Sequence, residues 1–280
     1  MTQSDMNWAG GVWGEEISWP GSSNMVYDLA VRLENGMTHH AAHPPYLYEL
    51  TKKHGDHNYP NGISAAMELL TMPAHSGTHV DAPAHVSKDG LIYPGVVVGD
   101  HQCLAEGIDV GSVEEIPPLV GPGFLVDGEK LLGREMTNSD GFGAEELEQW
   151  FAQRPSPTTG SVVLFRTGLM KYWNDPARYL GTGVGVPGVS LSGARWLTDR
   201  GVRAVGGDTA SFEHKPHWTV PALDVHVHLL VEHGVPIMES VQLEQLASAE
   251  VYENFHFVAA PLRIKGGTGS PIRPLAFVHG

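Results

Sequence analysis

The sequence predicts an α/β protein built as one domain, and three observations predict it. Short apolar runs alternate with amphipathic segments from Ser161 onward. The 280 residues show no internal repeat, linker or composition break, and that length suits one sizeable domain. Gly 34 and Pro 20 together make about 19% of the chain, where ~12% is usual. That balance fits a loop-rich enzyme with long ordered connections and does not fit a helical bundle.

Taken in order, residues 1–25 carry Trp8, Trp13 and Trp19 without a period. They read as an arm that packs on the body or on a second subunit, because exposed tryptophans are costly. The domain proper is expected over residues 26–280. Val26–Leu33 alternates well enough for a first strand, and the polar stretch Glu34–Gly62 reads as loop with one helical turn near Tyr46–Lys53. Gly143–Arg154 is an amphipathic, Glu-rich helix. Val162–Phe165 is a buried strand between Gly160 and Gly168. Ser190 offers an N-cap for a helix over Leu191–Arg200, with Leu191, Ala194 and Leu197 on one face and Gly201 as its stop. Val202–Val205 is the next strand, closed by Gly206-Gly207-Asp208. A helix over Ala222–His233 stops at Gly234, and strands follow at Val235–Met238 and Phe257–Ile264.

Charge and composition exclude several partners. With 17 Lys+Arg against 32 Asp+Glu, the net charge of −15 opposes phosphate backbones and anionic membrane surfaces, so neither nucleic acid nor membrane is expected as a partner. No apolar run approaches the ~18 residues of a membrane span. The segment Met1–Asn7 lacks the basic and apolar stretches of a secretory leader, and the expectation is a cytoplasmic protein. Cys103 is the only cysteine, which leaves no internal disulfide and no zinc ribbon; with His101 its only basic neighbour, it reads as a buried, inert thiol.

The segment His75-Ser-Gly-Thr-His79-Val-Asp81-Ala-Pro-Ala-His85 concentrates the chemistry. Imidazoles beside a carboxylate suit Zn, Mn or Fe(II) better than Ca or Mg. All four polar residues stand at odd positions, so a continuous strand would put them on one face. A fully extended chain, however, would hold His75 and His79 roughly 13 Å apart. Gly77 permits a turn that closes this gap, and Pro83 prevents a helix from running on. Elsewhere, Asp208 at a strand's carboxyl end suits either a site residue or a turn aspartate. Gly266–Ser270 lacks the Lys-Ser/Thr ending of a phosphate loop and reads as a tight loop. Tyr93 and Trp218 could line an apolar pocket or belong to the core.

His75-x-Gly77-Thr78-His79-x-Asp81-x-Pro83-x-His85 resembles the signature of the cyclase family of metal-dependent hydrolases, to which bacterial kynurenine formamidase and isatin hydrolase belong. The resemblance extends to Asp28-Leu29, to Gly207-Asp208-Thr209 and to His226–Glu239, and so spans roughly residues 26–275. It implies a mixed, barrel-like β-sheet flanked by helices. It also implies that His75, His79 and Asp81 bind metal, that His85 is catalytic, and that a later His and an acidic residue complete the site. His226 and His228 both precede Glu239. Residues two apart on a helix point about 200° from each other, so only one of them faces the ion. Placing the helix by Leu229-Leu230 and the stop at Gly234 puts His226 and Glu239 at the site. Glu239-Ser240-Val241 departs from the family's usual Glu-Asn-Leu, which makes substrate-side contacts less transferable.

The expected function is a metal-dependent hydrolase of a C–N bond in an amide, formamide or lactam, using one or two divalent ions, Zn or Mn. His85 would shuttle protons for a small-molecule substrate. Lactone or ester hydrolysis and ring closure use the same carbonyl chemistry and remain open, as do a metal-dependent ligand-binding protein without turnover and a purely structural metal site. The resemblance further implies a homodimer or higher homo-oligomer.

Overall fold

A computed structural model describes residues 25–218 and 223–278; the arm with its three tryptophans lies outside them. A curled mixed sheet of nine strands organises the chain. Its strands are β1 (Met25–Asp28), β2 (His79–Asp81), β3 (Leu119–Asp127), β4 (Val162–Arg166), β5 (Ala204–Gly207), β6 (Ile237–Glu239), β7 (Phe255–Ala259), β8 (Gly269–Pro271) and β9 (Leu275–Val278). They lie in the order β1-β9-β7-β3-β4-β5-β6-β2-β8.

The centre, β3-β4-β5-β6, is parallel, and every pairing outside it is antiparallel. Parallel strands are covered on both faces, which explains why Val162–Arg166 is buried throughout and shows no alternation. Two helices, Ala144–Phe151 and Leu191–Thr198, cover one face. Phe151 stacks on Trp196 between them, with ring centroids 5.4 Å apart. Leu197 is fully buried, and its loss to alanine in such a core costs about 2–5 kcal/mol.

Most of the expected strands and helices are present, with shifted ends. The first strand stops at Asp28, and the last-but-two stops at Ala259 before Pro261, which has no N–H for a ladder. Ser190 occupies the N-cap position, but its hydroxyl meets Ser192 and the Phe142 carbonyl instead of a helix N–H. Beyond the helical turn Asp224–His226 the chain widens into a π-helix, Val227–Glu232, which Gly234 ends at φ +64°.

Two expectations are overturned. The stretch near Tyr46–Lys53 is a strand, Leu47–Lys52, paired with Met67–Thr71 in a hairpin that leaves Leu47, Leu50, Met67, Leu69 and Leu70 exposed. Its hydrogen bonds go to residues about twenty positions on, which a local window does not register. Cys103 is exposed and not buried, because it sits in a two-residue strand on a peripheral ribbon. Among the described residues, no helix is long and apolar enough to cross a membrane.

Candidate metal centre

The site forms where β2 meets β6. His79 and Asp81 are two apart on β2 and therefore share a face. Antiparallel pairing sets Glu239 opposite His79, adding a second carboxylate to that face. Gly77 makes the expected turn at φ +58° and returns His75 to Asp81, with Nδ1 2.6 Å from Oδ1. The other nitrogen of His75 lies 3.0 Å from the Thr268 hydroxyl, so the Gly266–Ser270 loop does approach the site. Gly269 in that loop must lack a side chain, since a Cβ there would stand 2.6 Å from the His75 ring.

His226 enters from the helical turn. Its Nδ1 donates to Glu213 at 2.6 Å, and its Nε2 lies 3.3 Å from Glu239 and 3.9 Å from Asp81. His79 donates from Nδ1 to the Gly77 carbonyl, which turns its Nε2 towards Asp81 at 3.4 Å and Glu239 at 3.6 Å. The expected five side chains are thus brought together. Three-residue sets His75/His79/Asp81 and Asp81/His226/Glu239 each offer ligand atoms within 4.8 Å of one another, and Asp81 belongs to both. His228 points elsewhere, to Thr198 and Glu232. With Glu232 and His233 it makes a further group of closely spaced ligand atoms.

These residues fit a divalent ion on two grounds. Ligands ~2.0–2.2 Å from one ion at tetrahedral angles stand about 3.4 Å apart, which matches the spacing between the two Nε2 atoms and the two carboxylates. The charge matches as well. Asp81 and Glu239 are both buried, and two uncompensated carboxylates in the interior are costly. Without an ion, protons supply the compensation. Burial alone would lower the histidines, but hydrogen bonds and charge from Asp81 and Glu239 raise His79 to about 9. Glu213 and Glu239 likewise overcome burial at His226 and raise it to about 10. Asp81, despite burial, is held well below the carboxylate range by His75 and His79. Two protons carry the charge of one divalent cation.

His85 sits on a turn, Pro83–His85, with its ring centroid 4.0 Å from that of His75. Its ring makes no hydrogen bond among the described residues, and burial lowers its pKa to about 4. A cavity of about 210 Å³ opens over His75, His79, Asp81, His85, His226 and Glu239. Residues the sequence did not single out complete it. Thr38, His43, Trp173 and Lys215 line its walls, and the Tyr179 hydroxyl donates at its floor to Ser240 and the Asp208 carbonyl. Glu213 was also missed. It accepts the backbone N–H groups of Val225 and His226 as well as the His226 ring, and nothing local in Phe212-Glu213-His214 marks it. Asp208 fits neither of its two readings, since it does not line the cavity and its carboxylate holds the end of β4 instead of its own turn. It accepts Thr167 N, Thr167 Oγ1 and Gly168 N, and burial raises it to about 6.

A family model described as a putative cyclase matches residues 27–214. The chain belongs to the cyclase family. Kynurenine formamidase of Bacillus mycoides (strain KBAB4) is 25% identical to it over 246 residues, covering 88% of this chain and 94% of that protein. Among solved structures, isatin hydrolase A from Labrenzia aggregata, bound to benzyl benzoate, is 26% identical with a TM-score of 0.70, over 92% of this chain and 94% of that one. A crystal structure described as a novel cyclase shares the fold at TM-score 0.82 and 24% identity, over 91% and 87%. The curled sheet and its flanking helices are the family's architecture, and two of these relatives, the formamidase and the isatin hydrolase, are named as hydrolases.

Proposed function

We propose that this chain is a metal-dependent hydrolase that cleaves the C–N bond of a small amide, formamide or lactam. The observation that carries this reading is the convergence of His79, Asp81, His226 and Glu239 beside an unbonded His85 at the base of one cavity. Membership of the cyclase family and the likeness to a formamidase and a lactam hydrolase support it.

His75, His79, Asp81, His226 and Glu239 would hold one or two ions, Zn or Mn, with Asp81 available to both three-residue sets. A bound divalent ion polarises a carbonyl and brings the pKa of water from about 15.7 towards ~7. The chain's own residues do the rest. Gly77 and Glu213 fix the two Nδ1 atoms and so aim both Nε2 atoms at the carboxylates. His85 is neutral at pH 7 by virtue of burial, and takes the proton of the attacking water. Its weak basicity then makes it a ready donor to the departing nitrogen. Trp173 and Leu180 provide apolar wall above these groups.

A panel of aryl formamides, isatin-like lactams and lactones, assayed with Zn or Mn restored after chelation, tests the reading. Turnover of a formamide or lactam should appear with metal and vanish with EDTA, while far-UV circular dichroism persists. His79→Ala should lose metal and activity together. His85→Ala should keep its metal yet lose about 10²–10⁴ in rate. Full activity in the chelated protein, or in His79→Ala, would remove the proposal.

A further inference from the structure

Beside the metal cluster the cavity continues into a smaller chamber of about 40 Å³. The two spaces share Lys215, His40, Ser211, Ala210, Leu180 and Tyr179, and the chamber adds Trp218. Lys215 is the one Lys or Arg among the described residues that line either space. We propose that this chamber is an anion subsite, in which Lys215 receives a carboxylate on the non-reacting end of a flat, ring-bearing substrate. The proposal rests on the hydrolase reading above for the word substrate, but not for the site.

Three observations carry it. The first is that Lys215 has no counter-charge of its own. Lys130, Arg134, Arg166, Lys171, Arg200, Lys265 and Arg273 all pair with carboxylates. Lys215 makes no such pair among the described residues, although it is half-buried in a chain of net charge −15. A lysine without a carboxylate partner on the lining of a cleft in so acidic a protein supplies locally what the overall field denies to an anionic ligand.

The second is that the backbone beneath Lys215 is built. Lys215 N donates to Val186 O at 3.0 Å and Val186 N to Lys215 O at 2.8 Å, a closed antiparallel pair. Gly185 makes the approach possible: at φ +111°, a Cβ there would stand 2.2 Å from the Lys215 carbonyl. On the next residue, the Asn138 amide holds the Pro216 carbonyl at 2.8 Å. A side chain on such a strap starts from a fixed Cα, which reduces the entropy lost when it binds.

The third is size and surroundings. A water needs ~10–15 Å³ of such space, so the 40 Å³ chamber takes about three heavy atoms, the size of a carboxylate and too small for a ring. The other polar groups also suit an anion. His40 Nδ1 accepts the Ala42 N–H, which leaves Nε2–H as a donor, and Ser211 contributes a hydroxyl. Trp218, 46% exposed, lines the chamber and not the larger cavity, and offers apolar ring surface to a substrate that enters there.

The test uses a matched pair, 4-formamidobenzoate and its methyl ester, on the metal-loaded protein. The ratio of kcat/KM for the anion over the ester should fall roughly 10–100-fold in Lys215→Met, the range of a hydrogen bond to a charged group, while Lys215→Arg retains most of it. An unmoved ratio, or equal losses on both members, overturns the subsite. Calorimetric binding of the same pair separates this proposal from the hydrolase reading. If neither is turned over but the anion alone binds at least tenfold more weakly to Lys215→Met, the subsite stands and the aryl-formamide arm of the hydrolase reading falls. Equal affinities in wild type and variant overturn the subsite whatever the turnover.

Discussion

Two buried clusters of charge stand at the carboxyl ends of two parallel strands, β4 and β6, with β5 between them, and they solve the same problem differently. At the end of β4, Arg166 is surrounded by Asp127 at 3.0 Å, Glu129 at 3.0 Å and Glu244 at 2.8 Å. Although burial opposes it, hydrogen bonding to Glu244 and the three carboxylate charges raise its already high pKa further, so that cation is permanent. At the end of β6, Asp81 and Glu239 face only imidazoles, whose positive charge depends on protons. A cluster with its own fixed cation has nothing left to bind. A cluster whose cations can leave as protons is able to exchange them for an ion, and that separates a structural knot from a metal centre.

The sharpest way to break this contrast is pH. In the metal-free chain, His79 and His226 are raised above their unfolded value of ~6.5 to about 9 and about 10. Groups raised in the folded state contribute stability that is fully present below ~6.5 and is lost as pH climbs through 9 and 10. Urea unfolding of chelated protein should therefore weaken by several kcal/mol between pH 7 and 10.5, since each unit is about 1.4 kcal/mol. Metal-loaded protein, with neutral imidazoles held as ligands, should show a much flatter profile. Equal profiles would mean that the two clusters do not differ as described.

Next in size is Arg166→Met, which leaves buried Asp127 without its cation and should cost about 3–5 kcal/mol in the same unfolding assay. Metal bound per folded chain should stay as in wild type; loss of metal in step with stability would show the two clusters to be one. The smallest effect is Glu213→Gln, which keeps a hydrogen-bond acceptor but removes the charge behind His226. It should weaken metal affinity about 10–100-fold by competition with a chelator, and it should lower the melting temperature of the chelated protein, since Glu213 helps keep His226 protonated there. Unaltered affinity would reduce Glu213 to a helix cap.

What the sequence made legible was local. The eleven residues from His75 to His85 contain the strand, the turn at Gly77 and the ring that stacks back at His85, so their spacing alone suggested convergence. The choice of His226 over His228 rested on helix geometry, and the structure does turn the two rings apart. Glu213, Tyr179 and Lys215 were not legible, because the place of each depends on partners distant in sequence: Glu213 on His226, Lys215 on Val186, Tyr179 on Asp208 and Ser240. The hairpin Leu47–Lys52 failed for the same reason, its ladder being non-local. The barrel-like sheet came from the family resemblance, since alternation alone foretold strands and helices but not the antiparallel strands that flank the parallel centre.

The pairing of Glu239 with His79 has a consequence for folding. Strand side chains alternate with period two, so a slip of β6 by one residue against β2 would put Met238 opposite His79 and drive Glu239 into the apolar interior. The proposed ligand set exists in one alignment of the two strands and in no adjacent one. Ion uptake by that set would thereby be a proofreading signal: a chain that has paired these strands out of step has no centre to fill, and the stoichiometry of tightly held metal in a refolded sample would count the molecules whose sheet closed correctly.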